Sequence, residues 1–155
     1  MTTGKISLEP ALFRPGDGMH EGVLLGSKCQ SCGRLFFPPR EWCAACCEPS
    51  CRSAELSRHG ELRSYTVVQR KTTYSLVTAP YILAEIALPE GIFVYATLNL
   101  SSSPTADGYH FHTLTAAGDL AALSIGQRVA LSEVTIKKDP NGNDVVAYNF
   151  RTDSR

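Results

Sequence analysis

No run of apolar residues in this chain approaches the roughly 20 needed to span a bilayer, although hydrophobic residues fill 43% of its 155 positions. A soluble protein is expected. The opening Met1-Thr2-Thr3-Gly4-Lys5 has no apolar segment behind its lysine, so no secretory signal is expected either. Excess charge is also missing, because 15 basic residues balance 15 acidic ones. The balance holds locally: between positions 20 and 60, Lys28, Arg34, Arg40, Arg52 and Arg58 face Glu21, Glu41, Glu48 and Glu55. Nucleic-acid binders draw much of their affinity from basic groups that displace counterions from phosphates. The absence of a basic stripe argues against that partner.

Recognisable catalytic motifs are absent too. The chain has no G-x-S-x-G, no Gly-rich phosphate loop ahead of a helix and no H-E-x-x-H. Its Asp and Glu residues are scattered, so no carboxylate pair emerges from their spacing. The chain is not expected to catalyse a reaction alone.

What it does have is cysteine in one place. Cys29-Gln30-Ser31-Cys32-Gly33 and Cys43-Ala44-Ala45-Cys46 are two C-x2-C pairs ten residues apart. Each pair makes a tight turn with both thiols on one side, and two such knuckles facing each other form a tetrahedral cage for one metal ion. Cys29, Cys32, Cys43 and Cys46 are the expected ligands of one zinc ion. Four thiolates complete its coordination and leave no position for water, so a structural role is expected. Iron fits the same ligand set, as in a rubredoxin-like electron carrier, and a visible absorption band distinguishes the two. Gly33 follows the first knuckle, where a residue without a β-carbon is comfortable. Cys47 holds the matching place after the second. Cys47 and Cys51 lie outside the quartet: either could replace Cys46 as ligand, or Cys47 fills space beside the knuckle and Cys51 is a surface thiol. Cysteines at metal-ligand spacing suit a reducing cytoplasm.

The rest of the chain is β-patterned. Residues 1–25 form an arm punctuated by Pro10, Pro15, Gly16 and Gly18, extended and either docked on a partner or frayed. Met19 to Leu25 would fit a short strand or a helix end. Residues 26–56 are the ribbon, with a hairpin arm through Leu35-Phe36-Phe37 and a stiff Pro38-Pro39. Some thirty residues cannot build a sufficient core, so metal must hold them. Residues 57–155 carry five expected strands, at 60–69, 80–88, 92–100, 128–137 and 144–150. Pro89-Glu90-Gly91 and Asp139-Pro140-Asn141-Gly142-Asn143 supply the turns. Ile92, Val94, Ala96 and Leu98 take one strand face, and Phe93, Tyr95, Thr97 and Asn99 the other. Five strands with a brief helix at 116–123 between the third and fourth is the pattern of an OB-type barrel. The fold expected is mostly β, a rubredoxin-like four-cysteine ribbon followed by that barrel.

The run from Leu24 to Arg40, closed by Cys43 and Cys46, resembles the zinc ribbon of an OB-fold family long catalogued as a domain of unknown function. The resemblance continues through Gly60–Val68, Ala79-Pro80-Tyr81 and Ile125–Val129. It implies a partner: members accompany thiolase-like proteins that make or cleave carbon–carbon bonds in coenzyme A thioesters, in routes that include breakdown of aromatic compounds. The thiolase-like chain holds the nucleophilic cysteine and a histidine, and the small chain shapes the substrate site. A connection longer than in similar proteins, at about 101–118, is expected to contact the partner or cover its pocket.

Further candidates for partner or CoA-thioester contact are Phe37, Arg40, Trp42, Tyr81, His110 and His112. Arg40 could grip a phosphate or a partner carboxylate, or simply solubilise the ribbon. Phe36, Phe37 and Trp42 are too much aromatic surface for so small a module to bury. His110 and His112, two apart, would share one side of a strand as a metal or acid–base pair, or be solvated loop histidines. Tyr65, Tyr81 and Tyr95 suit the half-wet face of a barrel, and without basic neighbours they are weak platforms for stacked bases. A single-stranded nucleic-acid module remains the alternative from another class, with salt-dependent oligonucleotide binding as its mark.

Overall fold

The computed structural model describes residues 4–70, 72–74, 79–100, 120–121 and 123–153. Ten strands run in chain order: β1 (Lys5–Ser7), β2 (Phe13–Arg14), β3 (Val23–Cys29), β4 (Leu35–Phe36), β5 (Cys51–Glu55), β6 (His59–Val68), β7 (Tyr81–Ala87), β8 (Phe93–Asn99), β9 (Arg128–Lys138) and β10 (Asp144–Thr152). The five strands expected from 60 onward are β6 to β10, each within two residues of its expected ends.

Those five strands close on themselves. The ladder runs β10-β8-β7-β6-β9, and β9 pairs back onto β10, which closes the ring, with short seams of two residue pairs at β8–β10 and three at β6–β9. Only the β8–β10 pairing within it is parallel, with Phe150 opposite Leu98; the others are antiparallel. This is the OB-type barrel expected from the strand pattern. Period-two alternation decides which side chains fill it. Ile82, Ala84 and Ile86 of β7 and Val94, Ala96 and Leu98 of β8 are buried, while Phe93 and Tyr95 stand outside. The hairpin at Pro89-Glu90-Gly91 forms as expected: Gly91 adopts φ 82°, its N–H donates to Leu88 C=O at 3.0 Å, and Leu88 N–H donates to Ile92 C=O at 2.9 Å.

The turn between β9 and β10 is organised by one carboxylate. Asp139 accepts from Asn141 N–H and Asn143 N–H, both at 2.8 Å, and from the Asn143 side-chain amide at 2.9 Å. The Asn143 amide is the main reason that this carboxyl sits below its ordinary pKa.

The second sheet is the ribbon. β3 is its centre, paired with β2, β4 and β5. Its lower half belongs to the barrel core: Phe13, Leu24 and Leu56 form one buried cluster with Leu62, Val129, Val146 and Phe150. The Phe13 and Tyr148 rings meet 5.9 Å apart. The arm is neither frayed nor detached over its described residues but pairs with its own chain. β1 pairs in parallel with β10, β2 pairs with β3, Lys5 and Gly16 N–H both engage Glu133, and Arg58 ties Glu21 and Gly22 C=O to Leu131 C=O. The segment from Met19 resolves into β3, a strand. The insertion at 101–118, the strand-like piece around His110 and most of the helix expected at 116–123 lie outside the described residues. Among the described residues no helix is long and apolar enough to cross a membrane.

Two tests follow from this packing. Phe13→Ala removes a side chain that is 1% exposed where arm, ribbon and barrel meet, and urea unfolding is expected to show a loss of about 3–5 kcal/mol. Asp139→Ala is expected to lower stability by an amount that depends on pH. Because folding depresses the Asp139 pKa, its contribution is present above the ordinary carboxylate range and lost as pH falls through the lowered value. The gap between variant and parent in thermal unfolding should therefore close in acid; a gap that widens in acid would contradict this assignment.

Candidate metal centre

β3 ends on Cys29, and the chain turns at once. Gly33 N–H donates to Cys29 C=O at 2.9 Å, and Cys32 N–H points at Cys29 Sγ at 3.5 Å. The second knuckle repeats this: Cys47 N–H donates to Cys43 C=O at 3.0 Å, and Ala45 N–H points at Cys43 Sγ at 3.4 Å. The repeat extends to the backbone, since Gly33 has φ 75° and Cys47 φ 58°. Cys47 thus occupies the left-handed position that glycine holds in the first knuckle, at a cost of about 1 kcal/mol.

The two knuckles face each other. All four Sγ atoms of Cys29, Cys32, Cys43 and Cys46 lie within 4.8 Å of one another, with Cys29–Cys46 at 3.6 Å and Cys32–Cys43 at 3.5 Å. Metal–sulfur bonds of about 2.3 Å place tetrahedral ligands about 3.8 Å apart, so the cluster has the right size for one ion. Protonation state points the same way. The Ser50 hydroxyl is the main cause that draws the Cys29 thiol down to about 5, and the Cys46 N–H likewise lowers Cys43. Cys46 goes up to about 12: the Glu48 N–H favours its thiolate, but burial and hydrogen bonds with the other three sulfurs outweigh it. Cys32 is raised as well, the Arg34 N–H being outweighed by its bond to Cys43 and by burial. Without a cation the four sulfurs share protons; with one, all four become thiolates.

The remaining two cysteines fall opposite to expectation. Cys51 is not a surface thiol: it is 7% exposed, it stands opposite Cys29 in the β3–β5 ladder, and it shares a buried cluster with Cys29 and Cys43. Cys47 is exposed, and neither residue belongs to the four-sulfur group, which includes Cys46. The β3–β5 register, invisible in the sequence, decides this.

Phe36 packs against the cysteine cluster, and the Arg40 guanidinium lies 4.7 Å over its ring while Arg40 N–H donates to Ser27 Oγ at 3.0 Å. Phe37 turns toward the barrel, half-buried, its ring 6.4 Å from that of Tyr148. Trp42 is 61% exposed on the ribbon. Tyr81 is half-buried at the start of β7, opposite Val68. His110 and His112 lie outside the described residues. On the outer barrel face, Leu83 joins Phe93 and Tyr95 as exposed apolar surface, with Tyr95 O–H donating to Glu85 at 2.9 Å. A cavity of about 310 Å³ between the arm and β9–β10, lined by Lys5, His20, Arg58, Glu133 and Arg151 among others, has no trace in the sequence, because it gathers residues from both ends of the chain.

Residues 20–57 match the family described as ChsH2, rubredoxin-like zinc ribbon domain, and residues 53–133 match ChsH2, C-terminal OB-fold domain. The chain belongs to the ChsH2 family. Both halves of the family pattern are present in order, which agrees with the resemblance read from the cysteines and strands. Among relatives of this ChsH2-type chain, a DUF35 domain-containing scaffold protein of Methanothermobacter thermautotrophicus is 38% identical over 74 residues, 44% of this chain and 52% of that protein. That match spans only about half of the archaeal relative. The benzoylsuccinyl-CoA thiolase subunit BbsA of Geobacter metallireducens is 33% identical over 128 residues, covering 83% of this chain and 73% of BbsA. A solved structure titled Ltp2-ChsH2(DUF35) aldolase superposes with a TM-score of 0.58 at 22% identity over 84% of both chains, a likeness of fold.

Elemental analysis of the purified ChsH2-type chain is expected to find one tightly bound metal ion, lost when Cys29 or Cys43 is replaced by Ser. Cys47→Gly is expected to keep that ion and raise stability by about 1 kcal/mol, since it relieves the left-handed backbone of a non-glycine residue. Loss of metal in Cys47→Gly would make Cys47 a ligand.

Proposed function

We propose that this chain is the small, non-nucleophilic subunit of a thiolase-type complex that makes or cleaves a carbon–carbon bond in an acyl-CoA. The observation that carries the reading is the similarity to the BbsA thiolase subunit across 83% of the chain, ribbon and barrel together. The ion is zinc, held by Cys29, Cys32, Cys43 and Cys46; when bound it supplies folding free energy, and four sulfurs leave it no open position for chemistry. The partner supplies the cysteine that carries the acyl group and the histidine that moves protons. This chain's contribution is shape: walls, orientation and exclusion of water.

The docking surface is apolar and poor in charge. Trp42 on the ribbon and Phe93, Tyr95 and Leu83 on the barrel are large and exposed, the composition that protein interfaces favour. Phe37, Arg40 and Tyr81 are assigned to the same contact or to the CoA thioester, as are His110, His112 and the 101–118 insertion. Division into an arm (1–25), a ribbon (26–56) and a barrel (57–155) fits these roles. Six unpaired thiols suit a reducing, cytoplasmic setting.

The test is reconstitution. Alone the chain is expected to show no thiolysis; co-expressed with its thiolase-like partner it should co-purify and restore turnover. Trp42→Ala should weaken the complex by about 2 kcal/mol or more, roughly 30-fold in Kd, with the metal content unchanged. Deleting 101–118 should lower turnover or complex formation. A stable, fully active partner that ignores this chain would overturn the proposal.

A further inference from the structure

Cys51, the third buried sulfur of the ribbon beside Cys29 and Cys43, lies outside the four-sulfur group, yet its position is fixed. Cys51 stands directly opposite Cys29 on antiparallel strands. The ladder fixes what kind of pair this is. Gln30 N–H donates to Ser50 C=O at 3.0 Å and Leu56 N–H to Leu24 C=O at 3.0 Å, which makes 30/50 and 24/56 hydrogen-bonded pairs. Alternation then makes Cys29/Cys51 a non-hydrogen-bonded pair, the kind whose Cα atoms lie about 4.5 Å apart with side chains closest. That separation falls inside the range of about 4.4–6.8 Å that a disulfide spans. Both residues are buried, Cys29 at 0% and Cys51 at 7% exposure. Next to them the Sγ of exposed Cys46 lies 3.6 Å from Cys29 Sγ.

We propose that Cys46, Cys29 and Cys51 form a peroxide-responsive thiol relay, in which oxidation enters at the exposed sulfur and ends as a buried Cys29–Cys51 disulfide that removes Cys29 from the metal cage. The inference rests on the four-cysteine metal reading only for its second consequence, release of the ion. In the first step the Cys46 thiolate attacks one oxygen of hydrogen peroxide; the O–O bond breaks, Cys46 becomes a sulfenic acid, and the leaving hydroxide takes a proton from solvent and departs as water. The Cys29 thiolate then attacks Cys46 sulfur, the S–O bond breaks, and the second hydroxide leaves as water with another solvent proton. Finally Cys51 sulfur attacks Cys29 sulfur; the Cys29–Cys46 bond breaks, and Cys46 takes the proton that Cys51 gives up. One peroxide and two solvent protons thereby yield one disulfide, one free Cys46 thiol and two waters. The last exchange is favoured because the strand ladder already holds Cys29 and Cys51 at disulfide distance, whereas a Cys29–Cys46 bond joins two separate knuckles.

The experiment uses the full chain purified with its metal under reductant, freed of reductant and exposed to equimolar hydrogen peroxide. Released metal is followed with a chromogenic chelator, and linkages are mapped by mass spectrometry without reduction. Trypsin and a glutamate-specific protease leave Cys51 in residues 42–52 with Cys43, Cys46 and Cys47; gas-phase fragmentation at the Glu48–Pro49 bond separates it from them, and fragmentation of residues 29–34 separates Cys29 from Cys32. The expected product is a Cys29–Cys51 link with one ion released per chain, both reversed by thiol reductant and added metal. Cys51→Ser should hold its ion and, on oxidation, stop at a Cys29–Cys46 link that thiol reductant reverses. Cys51 still open to alkylation after the ion has left, or oxidised Cys51→Ser without a Cys29–Cys46 link, would overturn the relay. A chain purified without metal would overturn the metal reading instead, and the linkage map would still decide the relay; should Cys51→Ser fail to fold, the map of the parent chain decides it as well.

Discussion

Strand β3 is the beam on which this molecule is hung. Within seven residues it passes from Leu24, fully buried in the barrel core, to Cys29, fully buried in the sulfur cluster. Every other part of the ribbon is attached to it, β2 and β4 on one face of the sequence and β5 on the other. A ribbon of thirty residues has too little apolar surface to fold by burial alone. This one avoids the difficulty at one end by sharing the barrel's core through Phe13, Leu24 and Leu56, and at the other by gathering four thiols that a cation can clamp. The expectation that metal must replace a core therefore applies to the knuckles and not to the base of the ribbon.

Closure of the barrel has its own consequence for function. Because β9 pairs back onto β10, the ring closes, and its outward side-chain faces make up much of the surface a partner could meet. The outward positions of β7 and β8 carry Leu83, Phe93 and Tyr95 with Glu85 held by Tyr95 and Ser64 hydroxyls. A face whose carboxylate is already occupied by hydroxyl donors is less costly to desolvate than one with a free charge, which suits it to an apolar protein surface and not to a polyanion.

What was legible in the sequence was local. Two C-x2-C turns and five strands of alternating residues show themselves through spacing and period, and the hairpin at Gly91 through turn chemistry. What was not legible depends on register and on contacts across the chain. β1 and β2 are three and two residues long, too short to show a period, so their docking onto β10 and β3 could not be seen. Cys51 reads as a surface thiol until the register Cys29↔Cys51 places it inside. Phe37 and Trp42, five residues apart and both aromatic, part company for the same reason: one turns to Tyr148 and the other to solvent.

The two ends of β3 also differ in what they can lose. The base is fastened by side chains buried in the core of a closed barrel, an interaction indifferent to redox state or chelators. The tip is held by the β4 and β5 ladders and by the sulfur cluster, with Trp42 carried on the loop between Phe36 and Cys43. Taking one sulfur from the cage frees the knuckles and the loop that positions Trp42, yet leaves Leu24, Leu56 and the barrel in place. Folding stability of the barrel and placement of Trp42 are thereby set by separate interactions. If Trp42 lies on the docking surface as proposed, a chain built in this way would lose its fit to a partner without unfolding, and would recover it when thiols and metal return.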